Sequence, residues 1–217
     1  GMRMTTHDGR GTGAVQQVDS PARIHEEREL INPLDSGTEW IWQLFDGAFR
    51  EEATYQVTLS NVARSGLTTA RFRLQSKTRF AHHVQIFIND QLVGERFWNG
   101  ASVPVVITGS GQWLKEGDNE IRIVVPRNGL SPSQPDQVYF DFFELSYWKN
   151  LNSNGGDTQI EQDPLQTGPL VKYQVSGTPI DAVTLNITDP FNIVEIITET
   201  GGAFQDSTGP SQPARYR

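Results

Sequence analysis

Gln137-Val138-Tyr139-Phe140-Asp141-Phe142-Phe143-Glu144-Leu145-Ser146-Tyr147-Trp148 is the richest strand-like run in the chain. Successive side chains of a strand point to opposite faces. Tyr139, Phe143, Leu145 and Tyr147 therefore share a face with Asp141, and Phe140 and Phe142 occupy the other. Aromatics on both faces predict a central strand. One face lies in a core, and the other meets a loop or a neighbouring domain.

The same period of two recurs upstream, as half-buried strands require. Glu39-Trp40-Ile41-Trp42-Gln43-Leu44-Phe45 opens it, and Tyr55, Val57 and Leu59 alternate with Gln56, Thr58 and Ser60. Phe72 and Leu74 alternate with Arg71, Arg73 and Gln75. Val84, Ile86 and Ile88 alternate with His83, Gln85 and Asn89, and Phe87 is the one apolar residue on the second face. Asn89-Asp90 supplies a tight-turn signal before Leu92 and Val93. Ile121, Ile123 and Val125 resume the pattern after Gly117-Asp118-Asn119. Short strands separated by Gly, Asn, Asp and Pro predict an all-β fold, an antiparallel jelly-roll-like β-sandwich over residues 38–148. No helical period intervenes to supply the crossovers of a parallel sheet.

The flanks read differently. Residues 1–37 lack sustained period and predict a flexible leader, with a short helix over Arg23–Leu30 as the alternative. Gly1 ahead of Met2 reads as an expression remnant, with any targeting segment removed. Residues 149–168, with Asn152-Ser153-Asn154-Gly155-Gly156-Asp157, are polar and Gly-rich and predict a linker. Strand-like segments return at Leu170–Val175, Ile180–Ile187 and Ile193–Thr198, with a turn at Gly201-Gly202. Residues 169–217 thus predict a short β-rich C-terminal extension. It is too poor in apolar residues to stand alone, so it docks on the sandwich or is half of a domain whose remainder has been cut away.

A chain of 217 residues can bury roughly 70% of its unfolded surface without disulfide staples. Cysteine is absent, which excludes disulfides, thiolate metal sites and cysteine nucleophiles within the chain. The net charge is −8, and the basic residues are scattered. This argues against nucleic-acid and anionic-lipid partners, which need a basic face. No apolar run reaches the roughly 20 residues of a membrane helix, so no membrane insertion is expected.

The search for chemistry returns weak signals. There is no Gly-x-Ser-x-Gly nucleophile elbow. His82 and His83 are adjacent on a predicted strand and point to opposite faces, so they cannot bind one ion together. His7 and His25 lie in the leader, and zinc needs three or four convergent ligands. No cofactor is expected, with structural calcium as the exception. Jelly-roll modules hold it in loops with carboxylates and carbonyls, and Asp118, Asp136, Asp141 and Glu144 are the candidates. Acidic residues are plentiful, yet nothing singles out the opposed pair of a glycosidase. Gly9-x-Gly11-x-Gly13 follows no strand and opens no helix, so it fails the context of a phosphate loop. Trp98 and Trp113 sit near strand ends, and an exposed indole there would stack on a sugar with Asn99 as a polar contact. Packing is the ordinary fate of tryptophan. Asn186-Ile187-Thr188 matches the N-glycosylation sequon inside a strand-like segment.

Several strings together resemble a known family. His82-His83-Val84-Gln85-Ile86-Phe87-Ile88-Asn89-Asp90 followed by Trp98-Asn99-Gly100 is similar to a segment of the β-rich region preceding the catalytic domain of gingipain-like cysteine peptidases. That family usually has Asn-Gly where Asn89-Asp90 stands, and both suit a tight turn. Leu114-Lys115-Glu116-Gly117-Asp118-Asn119 looks like the family's Leu-x-x-Gly-Asp-Asn segment, and Val138–Tyr147 like its closing strand. The string from Asp181-Ala182-Val183 to Asp189-Pro190 resembles a segment just upstream of the peptidase, and Pro213-Ala214-Arg215-Tyr216 its approach.

The resemblance covers residues 38–217 and implies a region ahead of a peptidase domain, related to the sortase-like peptidase of the type IX secretion system. It transfers no catalysis, because that family's catalytic His and Cys lie downstream. It implies an extracellular or cell-surface location and a downstream peptidase domain of the same chain as partner. The functional expectation is a non-catalytic accessory or interaction module. A carbohydrate-binding module built on Trp98, Asn99 and Trp113 is the alternative, and a free-standing enzyme is the least favoured.

Overall fold

A computed structural model describes residues 4–33, 39–47, 49–63, 66–126, 135–165, 170–206 and 213–217. Among them run β1 (Thr5–Asp8), β2 (Asp19–Glu27), β3 (Gln43–Asp46), β4 (Glu52–Leu59), β5 (Thr68–Ser76), β6 (Ala81–Ile88), β7 (Gln91–Asn99) and β8 (Pro104–Gly111). They are followed by β9 (Gly117–Val124), β10 (Gln137–Asn150), β11 (Ile160–Glu161), β12 (Val171–Gln174), β13 (Thr184–Asn186), β14 (Val194–Ile197), β15 (Ala203–Asp206) and β16 (Arg215–Tyr216). The chain divides into two compact units, Arg23–Tyr147 on one hand and Gly1–Ala22 with Trp148–Arg217 on the other.

The unit Arg23–Tyr147 is the expected all-β, antiparallel, jelly-roll-like sandwich. One sheet has the order β4-β9-β6-β7, and the other β2-β10-β5-β8 with β3 also on β10. Alternating residues of both sheets meet in one core, including Val57, Phe72, Leu74, Val84, Ile86 and Ile123. The β6–β7 hairpin turns at Asn89 and Asp90, whose φ values of 48° and 65° are the left-handed pair a two-residue turn needs. The expected start of the sandwich at Thr38 lies outside the described residues.

β10 departs from strict alternation. Its pairing with β5 passes from Phe140↔Leu74 to Phe143↔Phe72, so one extra residue is inserted on β10. This bulge returns Phe143 to the face of Phe140, and both rings are buried in the core. Asp141, Phe142 and Glu144 are left on the outer face.

The expected leader is not a leader. Residues 19–27 form a strand of the sandwich sheet rather than a helix or loose chain. Ile24 packs on the core, and Arg23 and His25 meet Glu144. Tertiary partners decide a segment whose own propensity is neutral. β8 follows no clean apolar alternation and was not foreseen.

The second unit is built from both ends of the chain. β1 pairs in parallel with β14 in a sheet of order β1-β14-β13-β16-β11, and β12 pairs with β15. Its own core centres on Tyr173, Phe204 and Tyr216, whose rings lie within 4.9–5.1 Å of one another. The expected linker also contributes: Leu151 and Ile160 are buried in this core. The extension is thus one half of a unit whose other half is the N-terminal segment. Gln17 joins them. It is buried, donates from Nε2 to the Asp19 and Glu161 carbonyls (2.8 and 2.9 Å), and accepts from the Asp163 N–H at 3.1 Å. The glycine string belongs here as well: Gly9 donates to the Ile197 carbonyl and accepts from the Gln205 N–H.

Candidate functional site

The residues singled out by sequence fall into separate places in the sandwich. The first is a buried ion pair. His82 and Asp136 are almost wholly excluded from solvent, and the imidazole Nδ1 lies 2.5 Å from Asp136 Oδ1. The ring's Nε2 donates to the Thr78 carbonyl at 2.9 Å, and the His83 N–H donates to Asp136 Oδ2 at 3.2 Å. Burial works against the charged ring, but the Asp136 hydrogen bond and charge and the Thr78 carbonyl outweigh it, so the His82 pKa is raised. Both nitrogens are engaged, so this His–Asp pair has no free site from which to serve as a general base. It clips β6 to the start of β10.

Trp98 stacks on His82 with ring centroids 5.1 Å apart and packs against the core. Its indole nitrogen is buried without a partner. Trp113 lies against the backbone of Gly109 and Gly111 and also packs against the core. Asn99 is exposed at the end of β7. The three do not form one open aromatic platform.

The four carboxylates proposed for calcium are not brought together. Asp118 accepts from the Thr58 hydroxyl at 2.6 Å on an exposed surface. Asp136 serves His82. Asp141 and Glu144 lie on the outer face of β10, placed there by the bulge. Arg73 Nη1 lies 3.0 Å from Asp141, and Arg71 Nη1 lies 3.0 Å from Glu144, which Arg23 also holds. Burial raises the Asp141 pKa against the pull of Arg73, and Glu27 and Glu39 push the same way as burial. Phe142 packs against the His25 ring and the Arg71 guanidinium. Among the described residues, no group of three or more His, Asp or Glu side chains converges as a metal set would.

Two other segments have structural explanations. Asn119 is fully buried; its Oδ1 accepts from Asn89 Nδ2 and the Lys115 N–H, and its Nδ2 donates to the Lys115 and Gly117 carbonyls. The Leu-x-x-Gly-Asp-Asn segment is therefore a loop clamp, with every polar atom of one amide satisfied. In the sequon, Asn186 donates to Asp206 at 2.8 Å and accepts from the Thr188 N–H, so its amide is committed to the fold.

Sequence reasoning passed over the outer face of β6 and β7. Phe97, 64% exposed, lies flat on His83 with centroids 3.9 Å apart and planes 13° from parallel. Beneath it, His83 Nε2 lies 2.7 Å from Glu95 Oε1, to which Gln85 Nε2 donates at 2.8 Å. The available signal was the register of a two-residue hairpin, which sets Phe97 opposite His83.

No family model and no curated protein matches the sequence. Among solved structures, modules of the carbohydrate-binding class share only partial likeness. A CBM36 domain from the hindgut metagenome of Trinervitermes trinervoides has 13% identity and a TM-score of 0.39, over 58% of this chain and 96% of its own. A family 35 module from Clostridium thermocellum has 14% identity and a TM-score of 0.33, over 61% of this chain and 95% of its own. Dimeric latent PorU from Porphyromonas gingivalis aligns over 99% of this chain with 16% identity and a TM-score of 0.73. The chain spans 22% of that PorU chain, and it has the fold of that part of PorU.

Proposed function

We propose that this chain is a non-catalytic accessory or interaction module of a secreted or cell-surface gingipain-like peptidase. It lies ahead of a peptidase domain in the same polypeptide, which it orients, shields or supplies with substrate. One observation carries the reading: a single alignment at a TM-score of 0.73 runs through both units, from one end of the chain to the other. A lone carbohydrate-binding sandwich has no need of the second unit. The glycan alternative in its original form requires free indoles at Trp98 and Trp113, and both are only partly exposed and packed against the core.

The test is to sequence the native gene beyond Arg217 and to assay the full-length protein with and without this module. A Cys/His peptidase domain should follow, with kcat/KM on a peptide substrate changed several-fold by deleting the module. A reading frame with no peptidase domain, or peptide hydrolysis by the purified module alone, would overturn the proposal.

A further inference from the structure

The outer face of the β4-β9-β6-β7 sheet carries an aromatic ring whose exposure its structural role does not explain. Phe97 stacks one face on His83 and leaves the other to solvent, at 64% exposure. Its position is held from below, since the His83 imidazole is itself buried and lies within reach of Glu95. His83 Nδ1 has no partner, so the ring is fixed by Glu95 and by the stack. Gln85 and Glu95 flank the platform, and both hydrogen bonds to Glu95 fall on Oε1. Oε2 takes none among the described residues.

Along the same face of β6 lies Phe87, with the Arg122 guanidinium 4.3 Å from its ring centre. His83, Gln85 and Phe87 are alternate residues. Positions 83 and 87 are therefore about 13 Å apart at roughly 3.3 Å per residue.

We infer that this face is a binding site for a neutral polysaccharide chain, with Phe97 as the stacking platform and Gln85 and Glu95 as hydroxyl-binding groups. A pyranose has one apolar C–H face, which suits a flat ring with an open side, and equatorial hydroxyls, which suit an amide and a carboxylate at its rim. The about 13 Å span to Phe87 accommodates more than one sugar unit. Arg122 on this face is paired with Glu52 and Asp90, and Glu95, Glu120 and Asp118 leave an acid excess that repels uronates and phosphates, so the ligand is uncharged. The inference does not depend on a peptidase partner. It differs from the indole-based glycan reading in residue and in face.

The test is affinity electrophoresis of the intact chain in gels containing soluble xylan, galactomannan or mixed-linkage β-glucan, with polygalacturonate as the anionic control. At least one neutral polymer should retard the protein. Phe97→Ala should weaken that retardation at least tenfold, and Phe97→Trp should retain or strengthen it. Phe97 is exposed, so unchanged thermal melting separates lost binding from lost fold. No retardation by any of the three neutral polymers, retardation by polygalacturonate alone, or undiminished retardation of Phe97→Ala would overturn the inference. So would an effect of Phe97→Ala confined to self-association or protein capture.

Discussion

At the level of single residues, the His82–Asp136 pair makes the sandwich sensitive to pH. His82 has its folded pKa raised above the ordinary 6.5. Its stabilisation is therefore fully present below about pH 6.5 and is lost as pH climbs through the raised folded value. The unfolding free energy of the sandwich unit, read from urea titrations, should fall across that window by up to about 1.4 kcal/mol for each pH unit. His82→Leu should abolish this slope and cost about 3 kcal/mol, because it leaves a buried carboxylate without its cation. His82→Leu with Asp136→Asn should recover much of that loss, since the amide still accepts from the His83 N–H and carries no charge. A pH slope surviving in His82→Leu would assign the dependence elsewhere. That one of the two histidines makes a structural hydrogen bond was legible in the sequence, but its partner was not. Adjacent histidines on a strand show that one faces inward, but not that a carboxylate 54 positions away meets it.

Among elements, the strands with clean alternation were readable: β4, β5, β6 and β9 each send every second residue inward, because one face is packed and the other solvated. β10 was readable as central but not in its facing, because a bulge is a local break in the period that composition does not announce. β8 was missed for a related reason. It runs Pro104-Val105-Val106-Ile107-Thr108-Gly109-Ser110-Gly111, and its glycines read as loop. The structure gives Gly109 a different purpose: a Cβ there would fall 2.0 Å from the Val93 carbonyl oxygen of β7. Backbone approaches backbone at this point, which only glycine permits. Gly109→Ala should cost about 2 kcal/mol or more, since neither strand can yield without losing pairing. Gly117 is the contrasting case, with φ of 81° and nothing within 4 Å of its Cβ, so Gly117→Ala should cost only about 1 kcal/mol of backbone strain. Chemical denaturation of the two variants checks the order, and an equal or reversed cost would remove the close-approach argument.

For the whole molecule, the decisive contacts are the longest in sequence and therefore the least visible in it. β1 is exposed along its entire length and carries no apolar signal, yet it pairs with β14 nearly the full chain away. Gln17 reads as an ordinary polar residue, yet its buried amide satisfies three backbone groups of residues 19, 161 and 163. The poverty of apolar residues in 169–217 was legible, and with it the expectation that the segment needs outside support. The source of that support was not, because an unperiodic N-terminus gives no hint of its partner. A variant lacking residues 1–16 loses β1, the Gly9 hydrogen bonds to Ile197 and Gln205, and the Lys172 contacts with Gly11 and Gln16. The unit built around Tyr173, Phe204 and Tyr216 should then open. Limited proteolysis should cut within residues 149–217 at least tenfold faster than in the intact chain. The sandwich, with its own separate core, should survive as a resistant fragment. Calorimetry of the intact chain should accordingly resolve two transitions, and the truncated variant should keep only that of the sandwich. Protection of residues 149–217 in the truncated chain would mean that the tail folds without the N-terminal segment.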